Sequence, residues 1–385
     1  MASANAAFDS YKTAQSLSGL KDAVGAAETA SDAAKAANVS VSITYGEQKN
    51  SYENLSQSTT AAKSSVNAGG QVNLVATQSD INIIGSDIIG QQGTTLIADN
   101  DINIRAAEQS STEQSSNKNE GWNAGVAVSY GSNGLAFGVT AGGNAGKGHG
   151  DGTETSYVAS TVGSSESQTT IQSGNASNII GSVVQGKGVQ VNAKELNIES
   201  LQDTASYQSK QQNVEGQVTV GYGASASGSF SQSKVNANYA SVQDQAGIFA
   251  GDDGYQINVQ GNTDLKGALI TSSALAEQSQ KNSLSTGTLT YSDIQNVSEY
   301  DAKGLGLSGS ASYSKAGDSG KAYNPESSGV SKSVGFGLDS DEDSSVTRSG
   351  INTGNITITD VAGQQALTGQ SIEESKAGIL TTIST

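Results

Sequence analysis

The stretch from Asp80 to Ala106, DINIIGSDIIGQQGTTLIADNDINIRA, decides the fold class. Ile81 with Ile83, and Ile102 with Ile104, alternate with Asn82 and Asn103, and Leu96 follows Thr94 and Thr95. A period of two puts the aliphatics on one face of a strand. Gly, Asn and Asp interrupt these runs at intervals of about ten residues, as turn residues do. Strand, turn and strand at that spacing suit the coils of a parallel β-helix: each coil sends a few aliphatic side chains inward and the next stacks on it. On this reading Ile81, Ile83, Leu96, Ile102, Ile104, Leu196, Ile198, Ile257 and Val259 form the core. Asn82, Asn103, Asn197 and Asn258 recur beside the inward aliphatics. They either face solvent, the ordinary place for them, or stack as polar ladders.

Working outward, the pattern repeats. Ile102-Asn103-Ile104, Leu196-Asn197-Ile198 and Leu289-Thr290-Tyr291 are offset by 94 and then 93 residues. LNIESLQDTASY (196–207) and LTYSDIQNVSEY (289–300) lie side by side, Leu201 meeting Ile294, Gln202 meeting Gln295 and Tyr207 meeting Tyr300. Each copy has a second part of different character. Trp122, Ala124, Val126, Val128 and Tyr130 alternate with small or polar residues, Gly131-Ser132-Asn133-Gly134 reads as a turn, and Leu135, Phe137, Val139 and Ala141 alternate on the way back. This is an amphipathic hairpin interrupting the coils. The second copy carries Val218, Val220, Tyr222 and Phe230, and the third Leu305, Leu307, Val334, Phe336 and Leu338. Val39, Val41, Ile43 and Tyr45 form the strand of an incomplete earlier copy. Gly-rich tracts such as GGNAGKGHGDG (142–152) read as polar loops.

The expected organisation is an Ala-rich helical lead-in over 1–38 and a strand and polar linker over 39–64. Coils with hairpins near 122–141, 218–230 and 305–338 follow over 65–361, and then a helical tail over 362–385. The fold class is all-β: a right-handed parallel β-helix with protruding amphipathic hairpins and a short N-terminal helix.

Composition agrees. The chain has 385 residues, 34% hydrophobic, below the usual apolar share of about 45–50% in a class that also counts Gly. A thin core repeated many times needs fewer aliphatics than one deep core. There is one Pro, no Cys and a single His, His149, so disulfide and thiol chemistry are excluded. The net charge of −17 argues against nucleic acid. It also disfavours simple electrostatic docking of the whole chain on anionic lipid. No run of about 20 apolar residues exists for a membrane helix. Residues 1–37 are too charged for a signal peptide, so the chain reads as a segment of a longer exported protein.

Several long stretches together carry a resemblance. They are GSDIIGQQGTTLIADNDINIRAAEQ (85–109), LNIESLQDTASYQSKQQ (196–212), SKVNANYASVQDQAGIFAGDDGYQINVQGNTDLKGALI (233–270), SLSTGTLTYSDIQN (283–296) and TITDVAGQQALTG (357–369). The chain resembles the second haemagglutinin-repeat region of filamentous-haemagglutinin-like exoproteins. It is most similar to those of contact-dependent growth-inhibition effectors, without the toxin domain. The resemblance implies export through a two-partner-secretion transporter in the outer membrane. It also implies filamentous β-helical structure, and a delivery segment that associates with the target cell's outer membrane, or a barrel protein in it, to help a C-terminal toxin across. The tail at 362–385 then leads towards a pretoxin region.

The hairpins are the candidate site. Trp122–Tyr130 has the length and alternation of a transmembrane strand, with an aromatic at each end. The competing reading is that its apolar face packs back on the coils or against a neighbouring hairpin. No catalytic residue, cofactor or metal is expected. DSDED (339–343) lacks the sixth-position Gly of a calcium loop. The Gly-rich tract has Ala141 and Gly148 where a phosphate loop needs Gly and Ser or Thr. His149 sits in that Gly-rich tract with no obvious carboxylate partner, so a triad is unsupported. The rival function is a passive filament stalk or adhesin. A polysaccharide lyase would need clustered basic or acidic residues, and the 20 Lys and Arg are scattered singly along the sequence.

Overall fold

The computed structural model describes residues 39–131, 134–221, 223–314 and 327–380. The helical lead-in expected over 1–38 lies outside them, as do Tyr222, Ser132 and Asn133. The described chain is all-β apart from three short helices.

From Ser64 the chain winds through three parallel ladders in fixed order. The first ladder begins with Ser64–Ala68, Ser86–Gly90 and Thr161–Val162 and ends at Gly350–Ile351. The second begins with Gln71–Ala76, Gly93–Ala98 and Gln168–Ser173 and ends at Ile356–Ile358. The third runs Ile81–Ile84, Ile102–Arg105, Ala176–Ile180, Glu195–Glu199, Asn262–Lys266, Thr288–Ser292. All nine aliphatics assigned to the core are buried, Leu96, Ile102, Leu196 and Ile257 completely. Burying each such side chain is worth about 1.5–3 kcal/mol, and the alternation supplies one or two per face per coil.

Ile102, Ser177, Leu196, Thr263 and Leu289 occupy one register of the third ladder. The sequence period is therefore two coils plus one hairpin. Asn82, Asn103, Asn178 and Asn197 point outward from that ladder and also stack. Asn103 donates to Asn82, Asn178 to Asn103 and Asn197 to Asn178, at 2.9, 2.8 and 2.8 Å, and Asn258 donates to Asn192 at 3.3 Å. Facing solvent and forming a ladder are not alternatives here: parallel in-register strands stack identical side chains directly above one another.

The coils turn one corner in two alternating ways. On every second coil the third-ladder strand passes to the first-ladder strand through Gly85, Gly181 or Gly267, at φ 51°, 57° and 55°. This left-handed conformation suits glycine. A Cβ on these glycines would stand 2.6–2.7 Å from Ala107, Leu201 and Ile294, the residues at which the next coil departs into a hairpin.

In place of one helical tail over 362–385 the chain forms two helices, Val361–Thr368 and Ile372–Ile379, and residues 381–385 lie outside the described residues. The first helix covers the exposed end of the third ladder. Buried Gln364 accepts from the Leu289 N–H at 2.7 Å and donates to its C=O at 2.8 Å, making the two bonds another strand would have made. Gln364→Ala is expected to cost about 1–3 kcal/mol by leaving that buried peptide unpaired. Amide exchange should speed up over 288–292 first, and unchanged protection there would contradict the capping role.

Candidate functional site

The interruptions are longer than the apolar alternation suggested. The hairpins are Ala107–Gly131 with Gly134–Val158, Gln202–Val220 with Gly223–Val242, and Ile294–Ser314 with Ser327–Thr347. Their lower halves are polar, so hydropathy alone marked only the distal parts. The strand seen at 39–45 likewise extends over Val39–Thr59. GGNAGKGHGDG lies inside the strand Gly134–Val158 and is not a loop. Its glycines answer to neighbouring strands: a Cβ on Gly146 would fall 2.2 and 2.3 Å from the amide oxygens of Asn119 and Asn213. Those side chains lie across the glycines.

These strands form one antiparallel sheet of seven. Each hairpin leaves after a third-ladder strand and returns to the first ladder, and two coils separate each from the next. Two coils raise the chain by about 9.6 Å, the width of two hydrogen-bonded strands. Successive hairpins therefore arrive in pairing register, and Gly134–Val158 bonds to Gln202–Val220 as regularly as to its own partner.

The register sorts the residues by face, because directly opposed residues share one. Ile43, Val126, Val139, Val220, Ala224 and Tyr313 form one row. The pairings Val128↔Phe137 and Tyr130↔Leu135 continue that face towards the tip. Towards the body, Trp122 lies two residues along the strand from Ala124, whose row contains Val218. Val214, Phe230, Leu307 and Val334 form a further row, Leu305 opposes Phe336, and Leu338 opposes Lys303. Eleven of the sixteen candidate residues thus come onto one face, and Val128, Tyr130, Leu135 and Phe137 occupy register positions in line with it; the sixteenth, Tyr222, is not among the described residues. Tyr45 adds its ring edge-on to Trp122, with centroids 6.0 Å apart. The opposite face is mainly Ser, Thr, Asn, Gln and Gly over the same depth, with Glu215 among them. There Gln217 and Thr219 bond Thr140 at 3.0 and 3.1 Å, and Ser308 and Ser310 pair with Ser333 and Ser331 at 2.7 Å.

The apolar face does not pack on the coils. Val126 is 53% exposed, Val139 60% and Phe336 80%. Contiguous exposed apolar surface of this kind marks a site of contact with another molecule or a membrane. At the hairpin feet, burial raises the Asp203 and Tyr157 pKa values, and the Tyr157 N–H donates to the Asp203 carboxylate at 3.2 Å. Among the described residues no group of three or more His, Asp or Glu converges as a metal site. In DSDED, Asp339, Asp341 and Asp343 share one face of the edge strand with Glu342 on the other.

Comparison with known proteins matches the haemagglutinin-repeat family over residues 45–214. The chain is 33% identical over 333 residues to a deoxyribonuclease CdiA of Dickeya dadantii, covering 85% of this chain and 10% of the relative. It is a CdiA-like haemagglutinin-repeat region. Over 341 residues, 85% of this chain, it is 33% identical to a toxin CdiA of Escherichia coli, covering 11% of that protein. A tRNA nuclease CdiA of Yersinia mollaretii is 36% identical over 249 residues, 62% of this chain and 8% of the relative. The chain thus spans about a tenth of the length of these relatives, and the nuclease and toxin names are said of those longer proteins. No solved structure matches.

Proposed function

We propose that this haemagglutinin-repeat region is a non-catalytic delivery segment of a secreted contact-dependent growth-inhibition effector. Exported through a two-partner-secretion transporter, it engages the target cell's outer membrane with the distal part of its seven-stranded sheet and helps a C-terminal toxin across. The observation that carries this reading is the single apolar face into which all three hairpins fuse, uncovered by the other described residues. The three ladders serve as its rigid support, in our reading a right-handed parallel β-helix.

A bilayer demands that strand edges be paired. The hairpins satisfy one another except at the two outermost strands, Val39–Thr59 and Ser327–Thr347. Both of these run from tip to body: Val39 opposes Tyr130 and Thr59 opposes Ser110, while Ser327 opposes Ser314 and Thr347 opposes Ile294. The sheet cannot close on itself in antiparallel fashion. Antiparallel closure would require an odd number of added strands.

The test is flotation of the purified chain with liposomes and with outer-membrane vesicles. Co-flotation with either, lost when the distal hairpin segments are excised, is the expected result. A chain that stays in the soluble fraction with both vesicles would make the passive stalk or adhesin the better reading.

A further inference from the structure

The lysines look scattered in sequence, but folding gathers them. Each of the seven sheet strands carries one lysine. Lys118 is directly opposite Lys147. Two residues nearer the body, His149, Lys210, Lys234 and Lys303 oppose one another across four neighbouring strands. Lys49 and Lys332, on the outermost strands, lie on the same face, opposite Glu120 and Gly309. This is the apolar face, and the other face has none. Successive residues alternate faces, so seven independent lysines would agree about one time in 64. Like charges directly opposed across strands destabilise a sheet, and folding alone would not favour this row.

Acidic partners offset it only in part. Lys49 pairs with Glu47 at 3.5 Å, Lys118 with Glu120 at 3.2 Å and Lys303 with Asp301 at 2.7 Å. Among the described residues no carboxylate lies within 4.0 Å of Lys147, Lys210 or Lys234. From tip to body the face reads mainly apolar, then mainly basic with Glu47, Glu53 and Glu120 among the lysines on the first two strands, then acidic, the acidic rows holding Asp151 with Asp301 and Glu299 with Glu342. From Lys118 to Tyr130 the strand covers about 40 Å. At a 45° tilt that is about 30 Å along the membrane normal, the thickness of the hydrocarbon core.

We propose that the lysine rows bind lipid headgroup phosphates and so set the depth to which the apolar face enters the bilayer. This rests on the membrane reading above and adds its chemical selectivity. Lysine ammonium groups act as flexible point charges rather than as a planar fork, so the rows respond to phosphate density rather than to one headgroup's shape. The net charge of −17 does not prevent this: at physiological salt, screening confines exposed charges to about 8 Å.

The experiment compares the full chain with Lys147→Gln/Lys210→Gln/Lys234→Gln on phosphatidylcholine vesicles with and without phosphatidic acid. The parent is expected to partition on the order of 100-fold more strongly into the phosphatidic acid vesicles, with a preference that shrinks as salt rises. The triple variant is expected to lose on the order of 100-fold on those vesicles, with parental binding to phosphatidylcholine alone and an unchanged circular-dichroism spectrum. Equal binding of the parent to both vesicles, or a preference retained by the variant, would overturn the proposal and leave the membrane reading standing. Displacement by inorganic phosphate at matched ionic strength would assign the rows to a free anion and also overturn it. No binding to either vesicle would remove the membrane reading and this proposal together.

Discussion

Val126→Lys is expected to weaken vesicle binding by between about 30-fold and about 700-fold, the equivalent of the roughly 2–4 kcal/mol that a lysine costs on the lipid face near the bilayer midplane. Val126 lies eight residues beyond Lys118 on the same strand, about 27 Å along it. At a 45° tilt that puts it near the middle of the hydrocarbon. Its row neighbours are Ile43 and Val139, and Val220→Lys, one strand further on in that row, should behave alike. Ser225 occupies nearly the same depth on the polar face, opposite Thr219 and Ser312. Ser225→Lys should bind vesicles as the parent does. Val126 is half exposed already, so its substitution should leave the thermal unfolding midpoint almost unchanged. That separates loss of membrane affinity from loss of fold. Equal binding by Val126→Lys and Ser225→Lys would mean that the apolar face does not enter lipid.

Ile102→Asp is expected to melt one part of the molecule and spare another. Ile102 is completely buried, with Ile81 and Ser177 as its ladder neighbours. The substitution forfeits about 1.5–3 kcal/mol of burial and strands a carboxylate in an apolar interior, which costs more. Coils are coupled chiefly to their nearest neighbours, so amide protection should fall over 81–105 and 168–180. It should persist around Leu284 and Ile351, both fully buried in late coils. The first hairpin departs directly after Ile102–Arg105, so its foot at Ala107 and Val158 should loosen as well. A uniform rise in exchange along the whole chain would show one cooperative unit and contradict independent coils.

Much of this architecture is local and therefore readable. Whether Ile102 points inward is decided by its alternation with Asn103 and Arg105, and Val126 and Val139 declare a two-faced strand in the same way. The lower halves of the hairpins were not readable, since Ser110–Gly121 carries no apolar residue and pairs only because its partner strand is already held in place. The GGNAGKGHG strand was missed for a related reason. Its glycines suit a loop by composition, and only the amides of Asn119 and Asn213 crossing from adjacent strands explain them. The Asn ladder left a signal, the I-N-I and L-N-I triplets, whose stacking follows once the strands are parallel and in register.

The sequence by itself determined the strand pattern, the core aliphatics, the two-part repeat of about 93 residues and the resemblance to haemagglutinin repeats. All of these depend on residues within a few positions of one another or on a period. Only the tertiary structure decided that the lead strand and three hairpins make one sheet, that its apolar residues form one uncovered face, and that lysines tens of residues apart stand side by side. The reason is geometric. Pairing between hairpins depends on the match between the rise of two coils and the width of two strands, a property of the stacked ladders that no local stretch of sequence contains.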